Sequence, residues 1–254
     1  SPITSRVPFN GSDGLVIEDL DRDGFIDIVS VHESDATYDS AEHDPDFEES
    51  SLGHVRVSFG SFDPKIWTSV TLAEGELVSS PEDAAIEDLN GDGFLDILVA
   101  AENGHVVFFQ NPGKDIRTRT WPSRIIPMTQ GRGSYLRVFA ADFNGDGKPE
   151  IVSPNKGAQR PGPSDFSKSN PVSVFSISGS PLRSESWSET ILGKYSIPQN
   201  SEPVDLDGDG DLDIVIGSRG EQRIAWFENI SKGKLAFKEH AIGIVGALVS
   251  GFNM

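Results

Sequence analysis

Residues 205–216 read DLDGDGDLDIVI, with acids at alternate positions (Asp205, Asp207, Asp209, Asp211 and Asp213) and an apolar β-branched run directly behind them. A hard dication such as Ca²⁺ takes about six to eight oxygens at roughly 2.3–2.6 Å. Carboxylates at loop positions 1, 3, 5 and 9, with a backbone carbonyl at position 7, supply most of such a shell. Gly210, at position 6, permits the sharp turn that folds the loop back around an ion. One such run alone reads as a solvated turn. This chain contains the pattern four times, which that reading does not explain.

The other copies are DLDRDGFIDIV from Asp19, DLNGDGFLDILV from Asp88 and DFNGDGKPEIV from Asp142, so the first acids lie 69, 54 and 63 residues apart. The spacing assigns as side-chain ligands Asp19, Asp21, Asp23 and Asp27; Asp88, Asn90, Asp92 and Asp96; Asp142, Asn144, Asp146 and Glu150; and Asp205, Asp207, Asp209 and Asp213. The seventh-position carbonyls belong to Phe25, Phe94, Lys148 and Asp211. About four calcium ions are expected, one per loop. An EF-hand is the obvious rival, but it needs a bidentate Glu at position 12. That position holds Ser30, Val99, Ser153 and Ile216, and the residues after each loop favour strand over helix.

The composition fits this picture. Asp and Glu number 40 against 21 Lys and Arg, a formal charge of −19, and fourteen of the carboxylates sit in the four ligand sets. The surplus of acid argues against nucleic acid or an anionic membrane as partner, since both need a basic footprint. There is no cysteine, hence neither a disulfide framework nor a thiol nucleophile. Four calcium loops suit a calcium-rich extracellular setting, although the first residues carry no signal peptide pattern. The longest apolar stretch, 241–252, is too short to span a bilayer and reads as a buried strand.

A period of this length demands a repeat architecture. Each period reads as four short strands: 14–18, 26–31, 54–59 and 67–72; then 84–87, 95–100, 105–110 and 123–126; then 135–140, 151–153, 172–177 and 187–192; then 203–204, 212–217, 223–228 and 235–242. With no credible helix, 26 Gly and 16 Pro, the chain reads as all-β, a β-propeller of four-stranded blades. FFQNP from Phe108 and WFENI from Trp226 recur at matching places after the third strand, a second register independent of the acids.

The loop-then-strand unit resembles the FG-GAP/VCBS repeat, the blade of integrin α-subunit propellers, fungal propeller lectins and many secreted bacterial proteins. The resemblance implies calcium in the loops and a ring of about seven blades. Here four full blades are visible (about 14–72, 84–127, 135–192 and 202–242), and 243–254 reads as the start of a fifth. Residues 1–254 are therefore expected to be a single propeller domain or a fragment of a larger ring.

In that fold the metal loops share one rim, and the long insertions 32–53 and 154–171 open on the other. The resemblance to integrin propellers implies a ligand face opposite the metal loops. The first insertion gathers His32, Glu33, Asp35, Asp39, Glu42, His43, Asp44 and Asp46 before His54, which is either a second metal site or a solvated acidic loop. The innermost strands place Glu82, Asp83, Tyr135, Arg137, Asn200 and Glu202 around the channel mouth, with Arg132 and Lys156 nearby. Arg pairs bidentately with carboxylate, and Tyr offers a stacking face and a hydroxyl. Such a ring suits an acidic glycan. Tyr135 and Arg137, two residues apart on one strand, are expected to face the channel together.

Two function classes follow. One is a recognition module for a glycan or protein ligand, without membrane insertion. The other is a carbohydrate-active enzyme of the propeller kind, a polysaccharide lyase or sugar dehydratase, drawing on Tyr135, Arg137, His32 and His54. Recognition is preferred because nothing in the sequence forces a catalytic geometry. Asn10-Gly11-Ser12 and Asn229-Ile230-Ser231 are glycosylation sequons.

Overall fold

The computed structural model describes residues 13–32, 53–117 and 120–242. They form four antiparallel sheets of four strands, each in simple sequence order. Blade 1 comprises β1 (Gly14–Glu18), β2 (Asp27–His32), β3 (His54–Phe59) and β4 (Thr68–Glu74). Blade 2 comprises β5 (Pro81–Glu87), β6 (Asp96–Ala101), β7 (Val106–Phe109) and β8 (Ser123–Ile125). Blade 3 comprises β9 (Phe139–Ala141), β10 (Glu150–Pro154), β11 (Asn170–Ile177) and β12 (Trp187–Tyr195). Blade 4 comprises β13 (Pro198–Val204), β14 (Asp213–Ser218), β15 (Arg223–Asn229) and β16 (Phe237–Ile242). The helical content of the described residues is confined to short 3₁₀ turns. This is the repeat architecture that the sequence predicts. The apolar run 241–252 ends β16 at Ile242, and the rest of it, with the start of a fifth blade, lies outside the described residues.

Burial patterns distinguish the blades. In blade 2 every residue of β6 and β7 is buried, because this sheet is covered on both faces. In blade 1, β2 alternates buried and half-buried residues, as a sheet covered on one face must. Three apolar layers fill the gaps between consecutive blades. Val29, Val31, Val57 and Phe59 meet Ile97, Val99, Val107 and Phe109. Leu98, Val106 and Phe108 meet Ile151, Phe175 and Trp187. Val152, Val172 and Val174 meet Ile214, Ile216 and Phe227. Each of these side chains contributes about 1.5–3 kcal/mol on burial, so the stability of the chain resides between blades. The outer face of blade 1 stays open: Leu15 and Ile17 are 60% and 58% exposed.

The antiparallel order fixes two rims. Connections β1–β2 and β3–β4, with their counterparts in the other blades, lie on one rim. Connections β2–β3 and the joins between blades lie on the other.

Candidate metal loops and the opposite rim

Each acidic loop is the hairpin that joins the first and second strands of its blade. The first acid folds it by accepting backbone N–H groups. Asp88 takes Gly91 and Asp92 N–H on Oδ1 (2.8 and 3.1 Å) and Gly93 N–H on Oδ2 (2.8 Å). Asp142 repeats the pattern with Gly145, Asp146 and Gly147, and Asp19 and Asp205 hold Gly24 and Gly210. The sixth-position glycines have φ of 81–100°, the left-handed region that a glycine adopts without strain. The fourth position is left-handed too: it holds Gly91, Gly145 and Gly208, but Arg22 with φ 62° in the first loop.

The ninth acid does more than the motif suggests. Asp27, Asp96 and Asp213 each accept the second loop residue's N–H on one oxygen and an N–H at or just past the end of the third strand on the other. The pairs are Leu20 and Gly60, Leu89 and Asn111, and Leu206 and Asn229, at 2.7–3.2 Å. Glu150 instead takes Phe143 N–H and the Asn144 amide. These carboxyls are buried, and burial pushes Asp96 and Glu150 up to about 7 against their backbone hydrogen bonds; Asp27 is raised for the same reason. Asp207 and Asp211 are also raised, by desolvation and then by the acids around them.

The donor set fits a hard dication. Carboxylate oxygens of Asp205, Asp207 and Asp209 lie within 4.8 Å of one another, and so do those of Asp19, Asp21 and Asp27. In the third loop Asn144 Oδ1 is buried with no hydrogen-bond partner, and in the fourth so is Asp211 Oδ1. Asp211 thus brings a side-chain oxygen to a position assigned from sequence only to its carbonyl. Were calcium bound, the oxygens of positions 1, 3, 5 and 9 would hold it, and the ion would supply positive charge to the clustered acids.

The opposite rim differs from the sequence expectation in several respects. Asp83, Arg137 and Glu202 come together: Arg137 Nη1 lies 3.9 Å from Asp83 Oδ1, and the Glu202 charge is felt at Asp83. Asp83 also accepts Val138 N–H at 3.1 Å, and burial pushes its pKa up to about 6. Glu82 and Asn200 are half-buried beside Asp83 and Glu202 on β5 and β13. Tyr135 is not at the channel. It is 2% exposed among Leu98, Phe108 and Ile151, and its hydroxyl accepts from Asn155 Nδ2. The expected alternation fails because β9 begins only at Phe139, while Tyr135 makes an isolated bridge with Asn155. Lys156 is likewise consumed, buried in an ion pair with Glu102, and Arg132 pairs with Glu189 at 2.6 Å.

His32 and His54 are register partners in blade 1, with rings stacked at 4.5 Å; burial lowers His54 to about 4. The acids proposed to join them (Glu33, Asp35, Asp39, Glu42, Asp44 and Asp46), with His43, lie outside the described residues, as does the sequon at Asn10. The four groups considered for catalysis are not brought together: the histidines lie in blade 1, Tyr135 is buried against blade 2, and Arg137 faces Asp83. Asn229 is 2% exposed with its amide on two carbonyls, so this sequon is not a surface one.

Residues 88–153 match the family model described as FG-GAP-like repeat. That span runs from the second acidic loop through the third and into β10. Residues 88–153 are thus similar to an FG-GAP-like repeat, and the four four-stranded antiparallel sheets are those of a β-propeller. No curated protein matches the chain. Among the described residues no helix is long and apolar enough to cross a membrane.

Proposed function

We propose that the chain is an extracellular recognition module whose blades are stabilised by calcium and whose ligand, an acidic glycan, binds on the rim opposite the metal loops. The reading rests on the converging carboxylates of Asp205, Asp207 and Asp209, whose mutual repulsion a dication relieves. It draws further on the matched family, whose repeats often bind calcium and are typical of extracellular proteins. On the opposite rim Arg137 forms a 3.9 Å ion pair with Asp83, and its guanidinium is the group on this rim suited to pair with a ligand carboxylate. Asp83 and Glu202 then accept hydroxyl groups. Tyr135 and Lys156 drop out of the ligand set because their polar ends are buried.

The two halves of the proposal are read in one experiment on wild type and Arg137→Ala, by thermal melting and glycan-array binding with calcium or chelator. Calcium should raise the melting temperature of both proteins by several degrees. Only the wild type should retain uronate-containing glycans. Equal melts with and without chelator, on verified metal-free protein, remove calcium from the proposal. Undiminished glycan binding by Arg137→Ala removes the site.

A further inference from the structure

Among the described residues, the first acidic loop alone has carboxylates paired with a basic side chain from a neighbouring blade. Arg117, in the β7–β8 connection of blade 2, reaches across to the first loop of blade 1. Its Nε donates to Asp21 Oδ2 at 2.5 Å and its Nη2 to Asp23 Oδ2 at 2.8 Å. The guanidinium also lies 4.8 Å from the centre of the Phe59 ring. The Asp21 side chain is only 9% exposed, whereas those of Arg117 and Asp23 are 37% and 36% exposed, so the clamp is shielded on the Asp21 side alone.

The fourth loop provides an internal comparison. It has the same acids at positions 1, 3, 5 and 9, and among the described residues no Lys or Arg pairs with Asp205, Asp207 or Asp209. There the fifth-position carboxylate, Asp209, joins the converging set. In the first loop its counterpart, Asp23, is absent from that set, and its Oδ2 is held by Arg117. Charge tells the same story. The second and third loops carry Asn90 and Asn144 at position 3 and hence three carboxylates, whereas the first carries four. Arg117 offsets one of those four carboxylates.

We propose that Arg117 is a built-in counter-ion of the first loop, occupying the side of the acid cluster where a dication binds, so that calcium must displace it. The proposal rests on the calcium reading of the loops and goes beyond it, because it makes the four sites unequal. The first loop is a weak, calcium-responsive site. When metal-free it is held by a cross-blade clamp; when filled it frees the β7–β8 connection from Asp21 and Asp23.

The test compares wild type with Arg117→Ala and with Arg117→Gln, which keeps most of the stem over Phe59. Calcium is titrated in competition with a chromophoric chelator at low salt, and melting is followed in excess chelator and in saturating calcium. In wild type one site should be weaker than the rest, and both variants should tighten that site about tenfold, the scale of a single charge-assisted hydrogen bond between partly exposed groups. Both variants should melt below wild type in chelator, and the gap should close in calcium. Unchanged affinities at every site overturn the proposal. Absence of calcium uptake by all three proteins overturns the calcium reading and the competition with it; the chelator melts then read the counter-ion alone. In that arm Asp21→Asn with Asp23→Asn should abolish the loss caused by Arg117→Ala, and persistence of the full loss in that background overturns the counter-ion role too.

Discussion

Asp83 shows at the scale of one residue how the channel side is balanced. Its carboxyl is buried, accepts Val138 N–H, and faces Arg137 across 3.9 Å. Burial outweighs both favourable contacts and lifts its pKa to about 6, from an ordinary value near 3.8. Because the folded value is the higher one, the folded chain binds more protons than the unfolded chain between these limits. Asp83 therefore subtracts stability as pH rises through that window, and the whole penalty is present above it. Asp83→Asn removes the ionisation and keeps an oxygen for Val138 N–H. At pH 7.5 the variant should be more stable than wild type by about 1–2 kcal/mol, after allowance for the lost attraction to Arg137. At pH 3, below both values, the difference should nearly vanish. Urea unfolding at the two pH values measures it, and an advantage that does not depend on pH would show that ionisation is not the cause.

Between blades, the connecting device is an asparagine at or just past the end of the third strand. Asn111 Nδ2 donates to the carbonyl of Leu95 in its own loop (2.9 Å) and to that of Leu20 in the loop of the preceding blade (3.3 Å). Asn229 does the same with Leu212 (3.0 Å) and Phe143 (2.7 Å). By strand register the corresponding positions hold Gly60 in blade 1 and Ile177 in blade 3, neither of which has a side-chain donor. Where Ile177 stands, a cleft of about 560 Å³ opens between the second and third loops. Asn111→Ala deletes two donated bonds and the acceptor for Gly113 N–H, two of the three buried and the bond to Leu95 part-buried. It should lower unfolding free energy by about 2–4 kcal/mol in urea denaturation. A loss under about 0.5 kcal/mol would mean that water replaces the bridge. The sequence carried the signal, since FFQNP and WFENI recur; it served there only as a second register. The acid spacing and strand periods were legible because they are local and repeat. Partners such as Lys156 with Glu102, Arg132 with Glu189 and Arg117 with Asp21 were not, because the two residues are 54–96 positions apart and follow no repeat. Tyr135 was misplaced for a third reason: the alternation rule holds only within a strand, and β9 starts four residues later.

At the scale of the molecule, a propeller of this kind is a row of nearest-neighbour contacts, and its stability is a sum over blade interfaces. Interior blades read as continuous apolar strands and the first as an alternating one, so the sequence of each sheet reports how many of its faces are covered. Val57, fully buried in β3, faces blade 2, whereas Ile17, on β1, points to the uncovered side. The two residues lie in the same sheet and differ by one methylene, so truncating each to Ala compares the faces directly. Val57→Ala should cost about 2–3 kcal/mol through lost burial and the cavity left behind. Ile17→Ala should stay within about 0.5 kcal/mol, as expected for an exposed position. Urea midpoints of the two variants at several protein concentrations decide the matter. A comparable loss at Ile17 would mean that the outer face of blade 1 is covered in solution. Dependence of that loss on concentration would assign the cover to another copy of the chain, and independence to a blade contributed by the same polypeptide, as a larger ring requires.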